Sequence, residues 1–158
     1  MKEAFEIAGE IQSLVETWEP KLASLSAEKI TQPMNVQNRS VKMILGHLID
    51  SASNNIHRIV HLQYQQSPLV FPNYASEGNN DRWIAIQNYQ EEEWAIMTGL
   101  WKYSLIHYCH VIRNVNDEKL DNKWIAGPGR LISLREMIID FLRHLKLHLS
   151  EIEALLRQ

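Results

Sequence analysis

The sequence predicts an all-α protein, a four-helix bundle with long links after its second and third helices. Two observations predict it. Apolar residues recur at helical 3–4 spacing in four long segments, and no strand pattern appears between them. Breakers and capping residues also fall at the segment boundaries. The chain has 158 residues, the size of one ordinary domain, so residues 1–158 are read as a single helical bundle domain.

In the first segment, residues 3–18, Phe5, Ile7, Ala8, Ile11, Leu14 and Val15 keep helical spacing. Pro20 is expected to break this helix, with a short helical piece over 20–30 and a connector whose breaker is Pro33. Ser40 is a good N-cap for the second long helix, 41–66, in which Val41, Ile44, Leu45, Leu48, Ala52, Ile56 and Ile59 form the apolar stripe. Ser67-Pro68 ends it. Residues 67–88 read as a long irregular link carrying Phe71, Tyr74 and Trp83. A link of that length is often a lid or binding loop, although its aromatics serve equally as packing.

The third helix is placed at 89–113, with Trp94, Met97, Trp101, Leu105, Tyr108 and Ile112 as one core-facing stripe. A second link, 114–132, contains the turn signal Gly127-Pro128-Gly129. Ser133 and Glu136 then form a capping box that starts the fourth helix, which runs to about Leu156.

Composition excludes several classes. The net charge is −3 with no basic block or stripe, which argues against a nucleic-acid partner. No apolar run approaches the length of a membrane helix, and the N-terminus shows no signal-peptide pattern. The single cysteine, Cys109, rules out an internal disulfide and fits a reducing compartment. A cytoplasmic protein without a membrane or nucleic-acid partner is therefore expected. Cys109 has no identifiable His and acid partners, so it is not read as a nucleophile.

The seven histidines carry the functional signal. His144 and His148 are four residues apart on the fourth helix, on or beside its buried face among Met137, Phe141, Ile152 and Leu155. Two imidazoles so placed can reach one metal ion. His47 lies outside one edge of the second helix's apolar arc. Ser51, Asn54 and Arg58 share its stripe, and Asn55 lies between that stripe and the apolar centre. The helical wheel alone does not turn His47 inward. His57 and His61 form a rival pair that faces away from the core, and His107 and His110 sit off the third helix's stripe. A plain alternative is a set of partly buried histidines that hold no metal. Imidazole suits zinc, nickel, copper and iron, and three protein ligands leave a position for water or substrate. Neither Glu-x-x-His nor His-Glu-x-x-His occurs, which speaks against a di-iron carboxylate bundle and a zincin.

The segment Leu45-Gly46-His47-Leu48-Ile49-Asp50-Ser51-Ala52, together with the later His144-x-x-x-His148, resembles the DinB/YfiT-like family of metal-dependent proteins. The likeness spans nearly the whole chain. It implies a four-helix bundle with three histidines around a divalent metal ion, zinc or nickel, which by position are His47, His144 and His148. It also implies a thiol transferase or hydrolase that acts on a small-molecule substrate, using a low-molecular-weight thiol such as bacillithiol, mycothiol or glutathione. Homodimers are frequent in the family, and a homodimer is expected here. Ser51, Asn54, Asn55 and Arg58 are read as substrate-pocket residues, because Arg offers a fixed fork of donors for carboxylate or phosphate. The general base is unassigned. The alternative is a metal-containing stress-response or binding protein without turnover.

Overall fold

The computed structural model describes residues 2–32 and 34–158, with Glu77 described by its backbone alone. Met1 and the expected breaker Pro33 lie outside the described residues. Four long helices carry the architecture: α1 (Lys2–Ala23), α3 (Val41–Tyr64), α5 (Trp94–Arg113) and α6 (Leu134–Leu156). Two short helices, α2 (Ala27–Thr31) and α4 (Asn79–Gln87), lie in the connections. A two-stranded antiparallel hairpin, β1 (Lys123–Gly127) and β2 (Arg130–Ser133), precedes α6.

Around the bundle the order is α1, α5, α3, α6, so α1 faces α3 across the diagonal. This is not an up-and-down meander. The diagonal step from α1 to α3 uses the chain around α2, and the two helices that carry the histidine signal, α3 and α6, end up side by side. One apolar core runs through all four helices, with Ile11, Leu22, Ile44, Leu45, Leu48, Trp101, Tyr108 and Leu105 fully buried. Tyr108 stacks on Phe141 at 3.9 Å between ring centroids, tying α5 to α6 across the centre. Among the described residues, no helix is long and apolar enough to cross a membrane.

Local signals act as expected at two helix starts. The Ser40 side chain accepts from the Met43 amide at 3.3 Å. Ser133 and Glu136 cap each other reciprocally at the start of α6.

Elsewhere the structure corrects the expectation. Pro20 does not break α1, which continues to Ala23. Pro20 stands on the exposed side of the last turns, where the carbonyl it leaves unpaired meets water, while Trp18 and Leu22 bury themselves on the other side. The short helical piece lies at 27–31 rather than 20–30. The third long helix starts at Trp94 rather than 89, because Asn88 takes a left-handed conformation (φ 52°) that ends α4.

Neither link is irregular throughout. The first contains α4, and the second contains the hairpin, with Gly129 at φ 68° turning the strands. The hairpin escapes a pattern search because β1 is five residues and β2 four, too short for alternation to stand out. The first link is laced to β1: the Leu69 amide donates to the Lys123 carbonyl at 2.7 Å, and the Ile125 amide to the Leu69 carbonyl at 3.0 Å. Trp124 Nε1 donates to the Phe71 carbonyl at 3.1 Å, and Asn73 Nδ2 to the Ala126 carbonyl at 2.9 Å.

α4 docks on α3 through a buried carboxylate. Asp50 Oδ1 accepts from the Tyr89 hydroxyl at 2.8 Å and from Gln87 Nε2 at 2.7 Å. Burial raises the Asp50 carboxyl above its ordinary range, against the opposing effect of those two donors. The Tyr89 ring lies over Gly46, where an added Cβ would collide with three ring carbons. Gly46→Ala must therefore push Tyr89 aside. We expect it to cost about 1–3 kcal/mol in urea unfolding, as overpacking does, and to disturb the backbone that carries the adjacent His47.

Candidate functional site

α3 and α6 turn three imidazoles toward one point. His47 Nε2 lies 3.2 Å from His144 Nε2, and His148 Nε2 lies 3.1 Å from the same atom. The ligand nitrogens of all three lie within 4.8 Å of one another. His47 is inward-facing and buried, as is His148, while His144 is half-buried. The i, i+4 pair supplies one side of the cluster, and the packing of α3 against α6 supplies the other.

The arrangement fits a single cation. Two nitrogens bound at 2.0–2.1 Å to a tetrahedral ion stand about 3.3 Å apart, close to both contacts at His144. A neutral imidazole carries one N–H. His148 Nδ1 faces the Glu151 carboxylate at 2.8 Å, which holds that proton on Nδ1 and leaves Nε2 with a lone pair. A proton on His144 Nε2 satisfies at most one of its two neighbours. Lone pairs converging in this way repel unless a positive charge lies among them. The Glu151 contact has the form of the outer carboxylate that orients an imidazole when it binds a metal. Ser51 Oγ lies 3.5 Å from His144 Nδ1, and Tyr74 packs on His47 at 6.1 Å between ring centroids. His47 Nδ1 has no hydrogen-bond partner among the described residues.

Burial keeps the His47 and His144 rings neutral, the form that ligates. Desolvation, followed by the His148 and His144 rings and Arg39, lowers His47 to about 2. Desolvation and His148 lower His144 to about 4, with Asp140 opposing.

The cluster opens on a cleft of about 470 Å³, and His144 is the member of the trio that lines it. Of the substrate-pocket expectations, Ser51, Asn55 and Arg58 line the cleft. Asn54 is not brought there: it is buried, and its amide donates to the Asp50 carbonyl one turn back at 2.9 Å. The opposite wall comes from the first link, the hairpin and the start of α6, through Tyr74, Trp124, Arg130, Glu136 and Asp140 among others. Tyr74 is buried, and desolvation pushes its hydroxyl up to about 12, so it stays a proton-bearing donor. Arg58 lies against Trp124, 3.5 Å from the ring centroid, and 5.7 Å from that of Phe71.

The other histidines stay outside the cluster. His57, His107 and His110 are exposed, and the last two stack at 6.2 Å. His61 is half-buried and its Nδ1 is held by Tyr64 Oη at 2.6 Å and Gln65 Nε2 at 2.7 Å. Cys109 is buried in the core, and desolvation raises its thiol to about 11, which leaves it unreactive. Sequence reasoning missed Glu151 and Trp124, and it left Tyr74 open between a binding role and plain packing in its link. Glu151 was legible, because residues three apart on a helix are neighbours and His148-x-x-Glu151 is the reverse of the motif sought. No local signal marks Tyr74 or Trp124, which reach the cleft through the link and the hairpin.

The depressed histidines make stability depend on pH. Their folded pKa values lie below the ordinary 6.5, so below pH 6.5 the unfolded chain binds protons that the native rings refuse. Their contribution is complete above pH 6.5 and is lost as pH falls, toward about 4 for His144 and further for His47. Urea unfolding of metal-free protein at pH 7, 6 and 5 should show the loss, at up to about 1.4 kcal/mol per pH unit for each ring. His47→Leu should flatten the dependence.

No protein-family model matches the chain, and no curated protein matches it in sequence. Solved structures do match it. One is YfiT from Bacillus subtilis, described as a probable metal-dependent hydrolase with an unusual four-helix bundle topology. Its TM-score is 0.80 at 14% identity, over 99% of this chain and 85% of that one. Another is the mycothiol-dependent maleylpyruvate isomerase, at TM-score 0.75 and 12% identity, over 96% of this chain. A histidine-to-alanine mutant of that isomerase matches equally. The chain spans 60% of the isomerase's length. The all-α bundle drawn around paired histidines is therefore the DinB/YfiT-like fold.

Proposed function

We propose that this protein is a cytoplasmic, single-domain, metal-dependent enzyme in which His47, His144 and His148 hold one divalent cation, zinc or nickel. Its reaction class is the transfer of a low-molecular-weight thiol to a small electrophile, or the hydrolysis of that electrophile. The observation that carries this reading is the convergence of three imidazoles, their ligand nitrogens within 4.8 Å of one another, at the wall of a cleft. When bound, the cation supplies a Lewis acid that lowers the pKa of a water or thiol toward neutrality.

The protein's own residues do the rest. Glu151 orients His148, and the hydroxyl of Ser51 steadies His144. Tyr74, kept protonated by burial, offers an O–H to a developing negative charge beside His47. Asn55 and Arg58 bind the part of the substrate that does not react. Support for a thiol partner is of a different kind: the isomerase that shares the fold is named for mycothiol. The homodimer belongs to the same reading.

Elemental analysis of protein purified without a histidine tag tests the centre. One equivalent of zinc or nickel is expected in wild type and in His57→Ala, and a loss in His144→Ala. Equal metal content in all three would refute the ligand set. Glu151→Gln should weaken metal affinity about 10–100-fold, as removal of an outer carboxylate does, measured by competition with a chromogenic chelator. Turnover is sought by pairing thiols with chloro- or epoxide-bearing acceptors.

A further inference from the structure

We propose that Arg58 is an anion subsite: its guanidinium receives a carboxylate or related oxyanion carried by the substrate or by the thiol. The proposal rests on reading the cleft as a substrate site, and it does not need the metal.

Three long basic side chains are buried among the described residues: Arg39, Lys42 and Arg58. Two of them have acceptors. Arg39 is ion-paired and hydrogen-bonded to Asp81, and Lys42 donates to the Gln90 carbonyl at 2.8 Å. Arg58, only 4% exposed, donates to no acceptor among the described residues, and its Nε is wholly buried without a partner. No carboxylate stands within ion-pair distance of it there. A buried, unpaired guanidinium is costly to a fold, and packing alone would be served by an aliphatic chain.

What surrounds Arg58 is a holder with a free edge. Trp124 covers one face of the guanidinium at 3.5 Å, and Phe71 stands nearby. Stacking fixes the plane and leaves the N–H groups at its rim, the geometry that meets a carboxylate bidentately. Arg58 lines the cleft, as do Tyr74 and Asn55.

Position gives the ligand its shape. Ser51, which touches His144, and Arg58 are seven residues apart on α3, about 10 Å along the helix axis. The cleft thus has a reactive end at His144 and a charged end at Arg58. Asp140 and Glu136 line the cleft from α6 and disfavour an anion beside them, and Arg130, the other cation lining the cleft, is exposed on the hairpin, where its charge is screened by solvent. A molecule of several atoms, anionic at one end and electrophilic or thiol-bearing at the other, fits these constraints.

Isothermal titration of chelator-treated, metal-free protein tests this, with succinate, its neutral diamide succinamide, and glutathione as probes. Succinate or glutathione is expected to bind and succinamide not. Arg58→Met should lose at least about tenfold in affinity, and Arg58→Lys should fall between. Binding of succinate assigns the anion to the thiol-free substrate, and binding of glutathione alone assigns it to the thiol. Ligand-free Arg58→Met should melt no lower than wild type, because its guanidinium has no polar partner to lose. Equal anion affinity in Arg58→Met, no anion binding by wild type, or a large fall in melting temperature would each overturn the assignment. His57→Ala, at an exposed position outside the cleft, should bind the anion as wild type does. Anion binding without metal uptake would sink the metal reading and leave this one standing.

Discussion

The packing of α3 against α6 is the constraint on which the site depends. Each helix alone presents polar side chains at the edge of an apolar stripe, an ordinary feature of an amphipathic surface. Their contact closes His47 over the His144–His148 pair and buries His47 and His148, leaving His144 at the cleft. Desolvation then does what no single ring could do: it holds two imidazoles uncharged well below their usual range. Converging neutral nitrogens make a place for a cation, and the core around them supplies the rigidity that keeps them aimed.

That rigidity has a cost on α3. His47, Asp50, Ser51, Asn54 and Arg58 are all buried on one helix. Most find partners: Asp50 in Tyr89 and Gln87, Asn54 in its own helix. His47 Nδ1, Arg58 Nε and the second oxygen of Asp50, Oδ2, do not among the described residues. Buried polar groups without partners lower stability, and natural proteins keep them where a ligand supplies the missing contact. Of these atoms on α3, Arg58 Nε lies beside Trp124 in the residue that lines the cleft, His47 Nδ1 is on the ring side away from the cluster, and Asp50 Oδ2 lies under Tyr89 and Gln87. The apolar core, with Trp101, Tyr108 and Leu105 fully buried, carries the stability that this helix gives up.

The connections are part of the machinery. The first link lies along β1, Tyr74 packs against His47, and Trp124 braces Arg58. One wall of the cleft therefore comes from segments outside the four long helices. A bundle core holds metal ligands well but leaves little open volume, and the hairpin and link create that volume at the rim. The likeness to YfiT and to the isomerase, at 14% and 12% identity, is a likeness of fold. The chemistry follows from the residues that line this cleft.

The sequence by itself determined the helices, because their signals are local: 3–4 spacing, the Ser40 cap, the Ser133–Glu136 box. It also determined that His144 and His148 share a face, since one turn of helix guarantees it. It did not determine that α1 and α3 lie diagonally, that His47 turns inward, or that Tyr74 and Trp124 form the cleft wall. Pro20 within α1 escaped because the packing of Trp18 and Leu22 outweighs one residue's propensity, and the hairpin because its strands are too short for alternation to stand out. Helix periodicity reports which side of a rod is apolar. Which rods touch, and which polar edges they trap between them, is settled only when the core closes, because that choice is made by contacts between residues far apart in the chain.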